Sequence, residues 1–173
     1  MRGYFGIGAE RISKPMNFGA ILRTAHAFGA SFAFTVNAHA NARERNMSDT
    51  AKSTGHVPLF EWDEIGALQL PKACALVGVE LDENASILPS FRHPTNCAYI
   101  LGPEKGSLSP EAIARCDFLV RIPTQFCVNL SIAAALVMYD RTISFGGFGD
   151  RPVRPGGAPP PAEWAVVAEK TRN

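Results

Sequence analysis

The stretch CAYILGPEKGSLSPEAIARCDFLVRI, Cys97 to Ile122, decides the fold. It opens on an apolar run with strand character, Cys97 to Leu101. A loop bearing glycine and proline follows. Ser109-Pro110-Glu111 then carries the marks of a helix start: a capping hydroxyl, a proline at the first helical position and an acid at the positive end of the helix dipole. That helix runs to about Cys116, after which Phe118 to Ile122 is apolar again. Strands of this kind, apolar on both faces and separated by a helix, are the units of a mainly parallel sheet covered on both sides.

The same alternation extends outward in both directions. Strand-like runs occur at Tyr4 to Ile7, Ser31 to Val36 and Ala73 to Val79, with a weaker one at Pro58 to Glu61. Ile21, Leu22, Ala25 and Phe28 mark one face of a helix expected over Asn17 to Phe28, with Gly29 placed for a left-handed C-terminal cap. A longer helix is expected over Asn129 to Phe145. Its Ala133, Ala134 and Ala135 permit close approach of another element, and its apolarity implies burial. The fold class is therefore α/β, a mainly parallel sheet flanked by helices, over residues 1–145. Residues 146–173 read as a Gly/Pro-rich linker and C-terminal tail, and no second full domain is expected. They begin with GGFGDRPVRPGGAPPP (Gly146 to Pro161), which sustains neither helix nor sheet and reads as a mobile linker; Ala162 to Lys170 has the pattern of a short helix.

Composition narrows the function classes. The 173 residues are 46% hydrophobic and 19% charged, an ordinary globular balance. Seventeen Lys and Arg against 16 Asp and Glu leave a formal charge of +1, so any contact with nucleic acid must be local. Cys74, Cys97, Cys116 and Cys127 form no CxxC pair, and neither disulfides nor a metal site is expected. His26, His39, His56 and His93 are dispersed and read as surface residues rather than ligands. No segment has signal-peptide character or approaches membrane-spanning length, which points to a cytoplasmic location.

Three segments lie between a strand's carboxyl end and a helix start: Gly8 to Asn17, Gly102 to Ser109, and Pro123 to Asn129. Ligands of open parallel sheets bind at that edge, so the three loops should converge. In the first, Asn17 is placed to cap the helix, and Gly19 clears space beside the Arg23 guanidinium one turn on; taken alone, this segment reads as a capped helix with a solvated arginine. The second is not a phosphate loop, because Lys105 precedes Gly106 and Pro103 lacks an amide donor. Exposed backbone carbonyls there suit an adenosine or amino-acid ligand, with a plain glycine turn as the alternative. The third loop reads alone as ordinary helix capping. Arg11, Lys14, Arg43 and Arg45 flank the first two strand ends and are candidates for collecting phosphates, although Arg43 and Arg45 read equally well as solvated surface. Gly3, Gly6 and Gly8 do not make the GxGxxG of a dinucleotide fold, which counts against a nicotinamide dehydrogenase.

Taken in order, NFGAILR (Asn17 to Arg23), LGPEKGSLS (Leu101 to Ser109) and IPTQFCVNLSIA (Ile122 to Ala133) closely resemble the three signature motifs of the SpoU family of RNA methyltransferases, within the SPOUT class. Phe28-Gly29 and the small-residue segment Lys52-Ser53-Thr54-Gly55 fit as well, and the resemblance covers Tyr4 to Ile143. It implies transfer of a methyl group from S-adenosylmethionine to a ribose 2'-hydroxyl of RNA without a metal. It also implies a C-terminal trefoil knot holding the cofactor and an obligate homodimer, whose contacts are expected from the Ala133–Ala135 helix and the helix after Asn17. Carried over residue by residue, Asn17 and Arg23 serve the ribose end, Glu104 braces the site and Asn129 positions the catalytic loop. Val79, Glu80, Leu101, Gly102, Ile122, Cys127 and Leu130 line the cofactor pocket, mainly through backbone groups. Cys127 departs from the family, which generally has serine there; a thiol is a weaker hydrogen-bonding group.

Two alternatives remain open. One is a SPOUT enzyme that methylates a base, against which NFGAILR speaks. The other is a non-catalytic partner subunit binding cofactor or RNA, against which the intact Asn17, Arg23 and Glu104 count. With no RNA-binding domain read ahead of the fold, a tRNA loop is expected as target over a large ribosomal site.

Overall fold

The structure, a computed structural model, describes residues 3–40 and 55–149. Arg43, Arg45, the segment Lys52 to Thr54 and the tail from residue 150 onward lie outside the described residues. Seven parallel strands form one sheet: β1 (Tyr4–Glu10), β2 (Phe32–Val36), β3 (Leu59–Trp62), β4 (Ala75–Val79), β5 (Ser86–Ile87), β6 (Asn96–Leu101) and β7 (Phe118–Arg121). Their order across the sheet is β3-β2-β1-β6-β4-β7-β5. The chain winds outward from β1 to β3, then crosses to the other side of β1, so the winding reverses beside β1, β6 and β4. Such a reversal opens a crevice at the strands' carboxyl ends.

Helices α1 (Pro15–Ala27) and α3 (Leu130–Phe145) pack together on one face of the sheet. Phe18, Ile21, Leu22 and Ala25 of α1 meet Ala133, Ala134, Val137 and Met138 of α3 over Ile7, Tyr99 and Leu101. Ala133 and Ala134 therefore serve contact within the chain, and the exposed stripe of α3 consists of Ile132, Leu136 and Tyr139. The other face carries Phe32, Phe34, Leu76 and Ile100 under the short helix α2 (Pro110–Arg115). Gly6 and Gly8 of β1 are needed here. A Cβ on either would fall 2.3 and 2.5 Å from the rings of Phe32 and Phe34, which lie across β1 from the neighbouring strand.

Several elements differ from the sequence reading in instructive ways. Helix α1 begins two residues early because Pro15, with its φ preset, takes the first helical position after the extended Lys14. Asn17 therefore sits inside the first turn and does not cap it. β1 continues to Glu10 alongside Val36. β5 has only two residues, both exposed, and so carries no apolar pattern. Ser109 caps α2 by accepting from the Ala112 N–H, as expected.

At the amino ends of the strands, a buried polar network closes the core. Arg141 of α3 is 1% exposed. Its Nη1 donates to the Pro94 carbonyl at 2.7 Å, and its Nη2 donates to the carbonyls of Thr95 at 2.7 Å and Tyr4 at 3.3 Å. The guanidinium also lies over the rings of Phe5 and Phe145 at 5.3 and 4.7 Å. His93, expected at the surface, is buried beside it, with Nδ1 2.6 Å from the Tyr99 hydroxyl and Nε2 2.9 Å from Asp140. Burial pushes its pKa below the ordinary imidazole value, although Asp140 pulls the other way. Among the described residues no helix is long and apolar enough to cross a membrane.

Arg141→Ala leaves three carbonyls without their donor and empties a volume in the core. Urea unfolding should show a loss of about 3 kcal/mol or more, with Arg141→Lys recovering only part because one ammonium cannot span all three carbonyls.

Candidate active site

The three loops after β1, β6 and β7 converge, and one carboxylate joins them. Glu104 Oε2 accepts from the backbone N–H of Ser13 at 3.1 Å and from its hydroxyl at 3.0 Å. Oε1 accepts from the Lys14 N–H at 2.9 Å and from Asn17 Nδ2 at 3.1 Å. Partial burial pushes the Glu104 pKa up, but hydrogen bonds from Lys14, its own amide, Ser13 and Asn17 outweigh this and hold it below the ordinary carboxylate value. Because Asn17 donates to Glu104, its carbonyl oxygen turns the other way and accepts from Asn129 Nδ2 at 3.1 Å. The Asn129 carbonyl oxygen is then left for the Ser131 N–H and hydroxyl, at 2.9 and 2.7 Å, and so caps α3. The orientation of each amide fixes the next.

Two further acids fix the Gly102–Ser109 loop. Glu80, at the end of β4, accepts from the N–H groups of Leu108 at 2.7 Å and Leu81 at 2.8 Å. Glu10, buried at the end of β1, accepts from the Ser109 N–H at 2.8 Å and hydroxyl at 2.6 Å. Sequence reading missed Glu10; the available signal was an acid at a strand's carboxyl end facing a helix-capping serine. Gly102 is required because the loop doubles back, leaving a Cβ only 2.9 Å from the Leu108 nitrogen.

These loops enclose a cleft of about 230 Å³. Asn17, Glu104 and Asn129 line it, as do all seven residues expected around a cofactor: Val79, Glu80, Leu101, Gly102, Ile122, Cys127 and Leu130. Lys14, Leu81, Pro103, Gly106, Thr124, Val128 and Ala133 complete it. Apolar side chains form one part of the wall, and the Asn17, Glu80, Glu104 and Asn129 groups form another. Among the described residues, no group of three or more His, Cys, Asp or Glu side chains is arranged to hold a metal.

Two basic residues lie elsewhere. Arg23 is exposed on α1 and does not line the cleft. Six residues beyond Asn17, it sits about 9 Å along the helix and about 120° around it, on the same side as the exposed Met16. Arg11 takes a left-handed conformation (φ 52°) and donates from Nη2 to the Ser107 carbonyl at 2.6 Å, so its guanidinium ties β1 to the same loop.

Residues 5–139 match the profile of the SpoU rRNA methylase family. This chain belongs to that family. Among curated SpoU-type relatives, it is 25% identical over 146 residues to the 23S rRNA (guanosine-2'-O-)-methyltransferase RlmB of Acinetobacter baylyi, covering 78% of this chain and 57% of that protein. It is 29% identical over 150 residues to the tRNA (guanosine(18)-2'-O)-methyltransferase of Thermus thermophilus, covering 83% and 77%. The SpoU methyltransferase AviRb from Streptomyces viridochromogenes, in complex with the cofactor AdoMet, superposes with a TM-score of 0.69 at 23% identity, over 83% of this chain and 62% of that one. The chain thus spans less than two thirds of the Acinetobacter and Streptomyces proteins. The fold of the SpoU structures is shared by the seven-stranded parallel sheet and its flanking helices.

Glu104→Gln sets an amide NH2 against two of the four donors, whichever oxygen it replaces, and should loosen the first loop. Stability is expected to fall by about 1–2 kcal/mol, and the Ser13 and Lys14 amides should exchange with deuterium faster than in the wild type, read by mass spectrometry.

Proposed function

We propose that this chain transfers a methyl group from S-adenosylmethionine to a ribose 2'-hydroxyl of RNA, with tRNA the favoured substrate. The observation that carries the reading is the Glu104–Asn17–Asn129 chain, which joins all three motif loops around one cleft. Apolar walls at Leu101, Ile122 and Leu130 suit a purine, and the Glu80 and Glu104 carboxylates suit a ligand bearing ammonium and sulfonium charge. The names of the relatives support the ribose 2'-oxygen as acceptor over a base. The C-terminal knot implied by the family resemblance and a cytoplasmic location belong to the same reading.

S-adenosylmethionine, when bound, would supply a methyl on a sulfonium; its transfer to the 2'-oxygen breaks the carbon–sulfur bond, leaves a neutral thioether and releases the hydroxyl proton to solvent. The chain's part is orientation, since nucleophile and methyl must align at short distance. Asn17 and Asn129, locked by Glu104, hold the loops that define this alignment. A guanidinium with a pKa above about 12 is a poor base. Arg23, exposed and outside the cleft of its own chain, is therefore assigned to clamping RNA phosphate and not to acting as the base.

Calorimetry should detect S-adenosylhomocysteine binding without added metal, and digestion of methylated tRNA should release 2'-O-methylnucleosides; base-methylated products would favour the other class of enzyme. Arg23→Ala is expected to lower turnover about a hundredfold or more while leaving S-adenosylhomocysteine affinity within about twofold, because Arg23 does not line the cleft. An equal loss of both would make it a structural residue.

A homodimer completes the reading. Met16 of α1 and Ile132, Leu136 and Tyr139 of α3 are exposed apolar side chains on the two packed helices, and a second copy is the occupant we assign to them. Ile132→Asp with Leu136→Asp should convert a dimer to a folded monomer in sedimentation at micromolar concentration; an unchanged sedimentation coefficient would exclude this face.

A further inference from the structure

The loop between β7 and α3 has two sides. Thr124, Cys127, Val128 and Asn129 line the cleft, whereas Phe126, between them in sequence, does not. Its side chain is 82% exposed, more than any other large hydrophobic side chain among the described residues. The loop that carries it turns tightly at its start and is anchored at its end. The Thr124 N–H donates to the Ile122 carbonyl at 2.8 Å, and Asn129 is fixed between Asn17 and Ser131. An aromatic ring is therefore presented to solvent from a braced loop at the mouth of the cleft, beside polar Thr124 and Gln125.

We propose that Phe126 is a stacking platform for an unpaired RNA base adjacent to the nucleotide whose ribose enters the cleft; this rests on the RNA reading above. A ribose hydroxyl can reach the cleft only if its nucleotide leaves the regular stack, which exposes the π-face of a neighbouring base. Proteins that recognise single-stranded RNA cover such faces with aromatic rings. Stacking accepts any base, so Phe126 sets affinity and alignment without dictating sequence. It also supplies binding that does not depend on charge, which suits a chain with a formal charge of only +1. Phe126 is a positioning residue for the RNA and touches neither cofactor nor reacting atoms.

The test uses the full-length protein, S-adenosylhomocysteine and unmodified tRNA transcripts. Phe126→Ala should weaken tRNA binding about tenfold, the scale of one base–aromatic stack, by the same factor at low and high salt, with S-adenosylhomocysteine affinity and sedimentation unchanged. Phe126→Trp should bind at least as tightly as the wild type, and Phe126→Leu, equally apolar but without a π-face, should resemble Phe126→Ala. Wild-type affinity in Phe126→Leu would overturn stacking in favour of simple apolar contact. A shift to monomer in Phe126→Ala would assign the ring to a second copy and overturn the proposal. A wild-type protein that binds S-adenosylhomocysteine but not tRNA would remove the RNA reading together with this one, whereas tRNA binding undiminished in Phe126→Ala would remove this proposal alone.

Discussion

The carboxylate of Glu104 is the interaction on which the site's geometry depends. It accepts four hydrogen bonds, all from the loop and first helical turn that follow β1, while itself belonging to the loop that follows β6. Without it, the Ser13 and Lys14 amides at the start of α1 would face the loop unpaired, as no side chain caps that helix. The carboxylate thus holds the entry to the helix from 90 residues away in sequence. The same contact decides which way Asn17 points and, through Asn17, which way Asn129 points.

The parallel sheet gives this arrangement its place. All seven strands deliver their carboxyl ends to one edge, and the winding reverses beside β1, β6 and β4. Loops from those strands need not follow one another around the sheet, so they leave a crevice between them. At the opposite edge the polar groups are enclosed: Arg141 satisfies the first carbonyl of β1 and two just before β6, and His93 bridges Tyr99 to Asp140. Among the described residues no carboxylate pairs with this guanidinium, and three carbonyls and two aromatic rings surround it instead. One edge of the sheet is therefore closed, and the other opens into the cleft. α3 connects them, with Asn129 at its first cap and Arg141 three turns on.

The legible part of the sequence was whatever depends on local pattern. Apolar runs marked six of the seven strands, and Ser109-Pro110-Glu111 marked α2. Motif order brought Asn17, Glu104 and Asn129 together with seven lining residues. What escaped was set by distant partners. Asn17 looked like a cap because asparagine caps helices well, but Pro15 competes for the start and wins, which frees the amide for Glu104. His93 and Arg141 are polar residues whose burial only the tertiary structure explains, and nothing in their flanking sequence announces it. β5 is too short to show a period. The alanines of α3 permitted close approach as expected, but the element that approaches is α1 of the same chain.

Cys127 shows how much of the cleft is carried by the backbone. A serine there would offer a strong donor and acceptor, whereas a thiol offers weak ones, and Cys127 makes no hydrogen bond among the described residues. The loop nevertheless keeps its shape, because the bonds that hold it come from Thr124 N–H, Asn129 and Ser131. Gly102, Leu101 and Ile122 likewise line the cleft without a polar side chain, so the polar groups they can present there are backbone amides and carbonyls. Such a cleft tolerates changes in many of its side chains but not in the few that fix loop conformation. That asymmetry places the strictest demands on Glu104, Asn17, Asn129 and Gly102: three form the hydrogen-bonded chain, and at the fourth an added Cβ would collide with the loop's own backbone.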